Sequence, residues 1–451
     1  MLFIAYPYLN QPLLSRMTPL INKHASLFLF SIFFSMSAMS ADFNADHYLF
    51  GDLNGLRSQL HEQGIDFSLN YTNESGYNLA GGSRHTSAFA DETSIRTAVD
   101  LNKFWGLDGA HFYFAVNMRG GSRDNLNSQA ELGQLKQSLE IYGRGRVTRI
   151  SELRYQQLFW DGAWEFNIGR MGVSSQFGGR ECEFMSLSFC GAQFNKQSAT
   201  GYNWPVSQWA ASLRVQLSDD WAVKAGVFQR NPGFLKRSQG LNFLSPHGTI
   251  GMMWPVELQW TPIFAGLPGT WKLGYWYDTA GAADLVTDAQ GNNSFISGEE
   301  VRYHGSMNGS YLIIDQRLTQ LADDPARGWA AYLYADLNDP DTTEVSRQLS
   351  LGVSYLGPFA SRPHDKWSVA LAYLHVSDHL SDAERAYNGL LATDATGKAI
   401  LTDEETLATY YKFQLTPALA VQPELQYTHN PGATSRNDDT LVIALKIDAV
   451  F

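Results

Sequence analysis

Cysteine is nearly absent: Cys182 and Cys190 are the only two in 451 residues, eight apart in ECEFMSLSFCG. Around them there are too few ligands for a metal site. In an exported chain such a pair reads as a disulfide closing a small loop. Basic residues are scarce as well, 33 Lys and Arg against 45 Asp and Glu. This balance argues against nucleic acid as a partner, because phosphate binding needs a basic surface. Long apolar runs are missing after the first 41 positions, so no segment supplies the roughly 20 apolar residues of a transmembrane helix. A chain of this kind can enter a bilayer only as a closed barrel. Its slightly negative mean hydropathy does not oppose that, since barrel strands alternate lipid-facing and water-facing residues.

What is present is 44% hydrophobic, 13% aromatic and includes 39 glycines, which excludes both disorder and collagen-like repeats. Residues 1–41 carry Arg16, Lys23 and no acid, then the apolar stretch Leu27 to Phe34 and the small-residue run Ser37 to Ala41. That is a secretory signal, with cleavage expected between Ala38 and Asp42 and a translation start at Met17 giving an ordinary length. Its removal leaves 31 basic against 45 acidic residues, a net charge of −14.

Sixteen stretches have an apolar residue at every second position, the period of a strand with two different faces. They fall at 65–71, 95–101, 112–118, 153–159, 164–168, 209–217, 221–227, 256–260, 271–277, 311–313, 329–333, 349–355, 367–373, 407–413, 419–427 and 441–451. Several begin or end on Trp or Tyr, where an interfacial girdle would sit. Short connections such as Trp160-Asp161-Gly162 and Thr416-Pro417-Ala418 alternate with long ones at about 119–150, 172–208, 230–254, 279–308 and 376–406. Short periplasmic turns and long external loops on an even strand number are the outer-membrane pattern. The fold class read from this is all-β: a 16-stranded antiparallel transmembrane β-barrel occupying 65–451. Before it, residues 42–64 form a periplasmic segment in which Leu53, Leu56 and Leu60 recur at helical spacing and Gly64 fits a C-terminal cap. A short helix there is too small to plug a barrel.

The chain ends on Phe451, the last outward residue of an alternating strand. This resembles the assembly signal of outer-membrane barrels and implies the barrel-assembly machinery as a partner, beside outer-membrane lipid and lipopolysaccharide. The segments LFGDLNGLRSQLHEQGIDFSLNY, ELRYQQLFWDGAWEFNIGRMGVSSQFG, YLIIDQRL, GPFASRPHDKWSVALAYLHVSD and ETLATYYKFQLTPALAVQPELQYTHNPG span nearly the whole mature chain. Together they resemble the carbohydrate-selective porins of the OprB type. The resemblance implies passive diffusion of sugars, glucose-type monosaccharides above all, with no cofactor; monomer and trimer both stay open.

A neutral, hydroxyl-covered solute needs donors, acceptors and flat apolar faces at a narrow point, and charged side chains are strong hydrogen-bonding partners. Parity opposite to the apolar sets puts Arg96, Arg119, Glu152, Arg154, Glu165, Arg214, Lys224, Arg230, Glu257 and Lys272 on or near the lumen. The segment 172–208, with its cysteine pair, is the candidate for a loop folded into the pore. Arg119, Glu152, Arg154, Glu165 and Arg180 are the expected constriction, with Phe177 a further candidate and Tyr155 of outward parity. Each could equally be an ordinary wall residue in channel water. Rival readings are a pore for organic acids or amino acids, an adhesive barrel with a blocked lumen, and a barrel hydrolase. The acids at 152, 165 and 257 interrupt the cationic ladder an anion pore wants. No G-x-S-x-G motif supports a nucleophile, so no catalytic residue and no metal ligand is assigned. The acidic runs Glu299-Glu300 and Asp403-Glu404-Glu405 read as solvated loop before they read as calcium sites.

Overall fold

The computed structural model describes residues 43–192, 194, 201, 202, 204–245, 247–391 and 396–451. The signal segment expected over 1–41, its cleavage point and the start at Met17 lie outside the described residues.

Sixteen strands form one ring. In chain order β1 to β8 are Ile65–Ala80, Ser87–Asp100, Ala110–Gly121, Thr148–Phe159, Trp164–Met171, Gln208–Gln216, Trp221–Arg230 and Gly251–Trp260. The strands β9 to β16 are Leu267–Asp278, Met307–Arg317, Gly328–Asn338, Val345–Leu356, Lys366–Val376, Asp403–Thr416, Leu419–His429 and Thr440–Val450. Each pairs antiparallel with the next, and β16 returns to β1 with Val450 opposite Asn70 and Ile443 opposite Tyr77. Closure leaves no barrel edge for another strand to add to. Along β9, Leu273, Tyr275 and Tyr277 are exposed on the outside while Lys272, Trp276 and Asp278 are buried inside. At the periplasmic rim Trp260 packs against both Trp221 and Trp271, 5.2 and 5.3 Å between ring centroids. Such a belt suits rings that are apolar at one end and polar at the other.

A helix, Leu56–Glu62, precedes β1. It starts later than the leucine spacing implies, because Leu53 and Asn54 adopt positive φ. Gly64 follows it at φ +83°, and a Cβ there would lie 2.8 Å from the carbonyl oxygen of Asp100. The helix sits at the closing seam. Arg57 donates to the carbonyls of Phe67 and Phe451 at 2.5 and 2.7 Å, with its guanidinium over the rings of Tyr48 and Phe67.

One strand departs from the expected facing. On β10 the apolar pair Tyr311 and Ile313 points inward, 2% and 0% exposed, while Leu312 and Ile314 face out. The cause is a loop inside the barrel. Tyr311 and Ile313 pack with Phe177, Phe194, Trp276 and Tyr334 in an apolar cluster between wall and loop. Phe177 is therefore core, not pore lining, and Tyr155 stays on the outward face opposite Phe112 and Ile168.

The external loops are L1 (81–86), L2 (122–147), L3 (172–207), L4 (231–250), L5 (279–306), L6 (339–344), L7 (377–402) and L8 (430–439). L5 carries a small hairpin, Ala282–Asp288 with Val301–His304, and L7 a helix, Asp378–Asn388.

Candidate functional site

L3 enters the lumen and follows the inner wall, held by side chains that reach its backbone from successive strands. Lys224 of β7 donates to the carbonyl of Gln176. Glu257 of β8 accepts from the amide of Gly178 and the hydroxyl of Tyr311, both at 2.7 Å. Lys272 of β9 donates to Gly179 O at 2.7 Å. Farther round, Gln348 and Ser350 of β12 donate to Ser188 O. Gln422 of β15 donates to Glu183 O, Glu424 accepts from Met185 N, and Lys446 of β16 donates to Cys182 O. The loop backbone is thus satisfied by the wall, as a buried backbone must be. Cys182 and Cys190 are joined as a disulfide with Cα atoms 4.4 Å apart.

L2 folds inward too, which alternation does not reveal. Leu135 N donates to Glu404, Gln134 to Thr428 and Thr440, Gln426 to Ser138 O, and Ile141 N to Glu74. The two loops meet through Glu140 N to Met185 O and Leu187 N to Gln137 O, 2.9 and 2.8 Å. Together they line β7 to β16 and β1. The arc from β2 to β6 is covered less: Glu92, Arg119 and Ser212 meet the loops, while β4 and β5 keep Glu152, Arg154 and Glu165 toward the channel.

The expected constriction residues divide between these two sides. On the open arc, Arg154 donates to Glu152 at 2.8 Å and to Asn167 at 2.5 Å, and lies 3.9 Å over the ring of Tyr113. Glu165 accepts from Gln156 and Asn167, each at 2.9 Å. Glu152, Arg154 and Glu165 are thus brought together on β4 and β5. Arg119 is a strut: 8% exposed, it bonds Glu92 at 2.5 Å and the carbonyl of Ile141 in L2 at 2.6 Å. Arg180 stands across the ring on L3, 3.4 Å over the ring of Tyr332, with Asp315 at 3.2 Å and Glu183 at 3.6 Å. Lys366 closes that chain by pairing with Glu183. Burial works against the charge of Arg180, but Asp315, Tyr332 and Glu183 raise its affinity for the proton. Burial likewise opposes ionisation of Glu183, yet Lys366 and Arg180 outweigh it and hold the carboxyl down at about 2.

Of the other wall residues, Lys224, Arg230, Glu257 and Lys272 have inward parity but lie under L3, and Arg230 pairs with Asp278 in full burial at 2.6 Å. Sequence reasoning missed Glu92 and Trp204. Trp204, near the end of L3, donates to Glu92 at 3.0 Å, and Arg96 lies 5.2 Å from its ring centroid. Glu92 has inward parity on β2 and could have been found; a loop tryptophan leaves no periodic signal.

The acidic runs are not assembled for a cation. Glu299 and Glu300 are exposed. Glu404 points inward to the amides of Leu135 and Gly432, while Asp403 accepts from Tyr373 and His375 on the other face. At the outer mouth Asp284 ties L5 to L7, accepting from His304 at 2.9 Å, His379 at 3.0 Å and Arg302 at 3.0 Å. Burial opposes its charge, but these partners and the amides of Val286 and Thr287 hold it well below the usual carboxylate range.

A barrel of this strand number, narrowed by a wall-following L3 and lined with paired charges, is shared with proteins of known kind. The family model for carbohydrate-selective porins, OprB family, matches residues 84–451. The chain belongs to this family. It is 34% identical over 416 residues to Porin B of Pseudomonas aeruginosa, covering 90% of this chain and 91% of that one. It is 32% identical over 421 residues to the putative porin QuiX of Acinetobacter baylyi, covering 90% and 93%. The high-pH structure of Pseudomonas putida OprB superposes with a TM-score of 0.85 at 32% identity, over 91% of this chain and all of that one. This family member is therefore an outer-membrane sugar porin of a Gram-negative bacterium.

Proposed function

We propose that the porin passes glucose-type monosaccharides by passive diffusion, selecting them between the Glu152, Arg154 and Glu165 wall and the Arg180, Glu183 and Lys366 face of L3. The observation that carries this reading is the pairing of the charges. Arg154 has Glu152, Arg119 has Glu92, and Arg180 and Lys366 share Glu183. Paired charges give a weak net field and many directed donors and acceptors, which serves a neutral polyol; a pore for anions needs cations left uncompensated. No bond is made or broken, so no catalytic group and no cofactor is required. Arg119 acts by holding L2, and Phe451 serves as the assembly signal at the seam that Arg57 ties.

Liposome swelling tests this. With Arg154→Ala the glucose rate should change by about tenfold or more, the worth of one charge-assisted hydrogen bond, and wild type should admit glucose ahead of gluconate. Unchanged glucose flux in the variant removes Arg154 from the constriction. Preference for gluconate sinks the neutral-solute reading.

A further inference from the structure

L4 turns outward where L2 and L3 turn inward. Its anchor is Arg170 of β5, whose register opposite Leu153 and Trp209 puts it on the lipid-facing side, yet it is only 2% exposed. Arg170 donates to the carbonyl of Asn242, and its guanidinium lies 4.8 Å from the centroid of Phe234. Ile150 N bonds Gly240 O at 2.9 Å, and Arg149 donates to the carbonyls of Phe234 and Leu235. Phe243 stacks on Phe114 at 6.4 Å with planes 6° apart. Phe114 belongs to the outward row of β3 with Phe112, Val116 and Met118. L4 is thus laid down over the outer wall, and its free surface presents Leu241, Phe243 and Leu244, 56%, 54% and 73% exposed.

Three large apolar side chains within four residues are unsuited to water but continue the oily surface that Phe114 begins. Their charged neighbours are of one sign. Residues 231–250 contain Lys236, Arg237 and His247 and no Asp or Glu, in a chain whose net charge is −12. Lys236 and Arg237 are both exposed. An apolar tip in the acyl region with a basic pair beside it complements an anionic amphiphile, and guanidinium matches phosphate geometry in particular.

We propose that L4 is a docking site for a phosphorylated lipid of the outer leaflet, with Leu241, Phe243 and Leu244 among acyl chains and Lys236 and Arg237 on the headgroup phosphate. The proposal rests on the outer-membrane placement of the barrel but not on its solute.

Native mass spectrometry of the full chain in detergent tests it, with bisphosphorylated lipid A, its dephosphorylated form and inorganic phosphate as probes. Wild type should retain the bisphosphorylated lipid preferentially. The double variant Lys236→Glu with Arg237→Glu should weaken that retention by about tenfold or more and leave the dephosphorylated lipid unaffected. The triple variant Leu241→Ser, Phe243→Ser and Leu244→Ser should weaken both. Equal retention by wild type and the double variant overturns the proposal. So does equal uptake of the two lipid forms by wild type, or inorganic phosphate binding as tightly as lipid. A dimer lost in the triple variant would assign the surface to a second copy instead. Glucose swelling and heat-modifiable gel migration should stay at wild-type values, so a failure here is separable from a failure of the pore reading.

Discussion

L3 and L4 spring from the same rim, on either side of the β6–β7 pair, and fold in opposite directions. L3 is drawn inward because β7, β8, β9, β12, β15 and β16 each project a polar or charged side chain on the lumen face that reaches its backbone. L4 is drawn outward where Arg170, a charge on the oily face, takes the carbonyl of Asn242 in addition to that of Ser207, and Arg149 takes those of Phe234 and Leu235. In both, wall side chains satisfy loop backbone, and in L3 the side chains of Arg180, Glu183 and Trp204 also pair with the wall residues Asp315, Lys366 and Glu92. The face that carries the polar hooks therefore decides where a long loop lies, and the loop's remaining side chains must suit the medium it then meets. Those of L3 become a channel surface of paired charge, and those of L4 an apolar one.

The largest effect should come from unhooking L3. Glu257→Leu leaves the amide of Gly178 and the hydroxyl of Tyr311 buried without their acceptor, at about 1–3 kcal/mol for each. Single-channel recordings should then show noisy, enlarged conductance as L3 leaves the wall. A quiet channel of wild-type conductance would mean that the hooks do not hold the loop.

Acid should separate the two loops less sharply. The carboxyl of Glu183 is held at about 2 by Lys366 and Arg180 against the opposing effect of burial. A depressed carboxylate contributes stability that is present above its unfolded value, near 4.5, and is lost as pH falls through the folded one. L3 should keep its conductance signature from neutral pH to about 4.5 and loosen progressively toward 2. L4 has no carboxylate within 231–250, so its protease susceptibility should not follow that window. Loosening of both loops together would point to the barrel rather than to Glu183.

The sixteen strands were legible because oil and water alternate along nearly all of them, and each expected segment coincides with an observed strand, those ending at Leu101, Leu217 and Phe451 running one residue past it. Tyr311 and Ile313 were assigned the wrong face because alternation reports polarity, not whether the inside is filled by water or by protein. The inward course of L3 had a signal in its cysteine pair; that of L2 had none, since Gln134 and Ser138 acquire their role only against Thr428 and Gln426. Parity brings Glu152, Arg154 and Glu165 to one wall, but it carries no information about which inward residues a loop later covers. Lys224, Glu257 and Lys272 differ from them in that respect alone. Arg170 shows the converse, a charge on the oily face that makes sense only once L4 lies over it.

The smallest effect on conduction should come from that residue. Arg170→Leu restores an apolar outward position and removes the donor that draws in Asn242, while leaving the bonds of Arg149 and Ile150 to L4 in place. One anchor among several is worth about 1–3 kcal/mol because its partner is a charged group, enough to raise proteolysis at Lys236 and Arg237 but not to open the barrel. Of the described residues of L3, Arg170 bonds only the terminal carbonyl of Ser207, at a long 3.4 Å, while the hooks that seat L3 in the lumen come from other strands, so conductance and glucose flux should stay close to wild type while L4 is cut faster. If conductance instead moves with L4, the inner and outer loops are coupled through β5, which ends where L3 begins, and the two faces of the wall do not act independently.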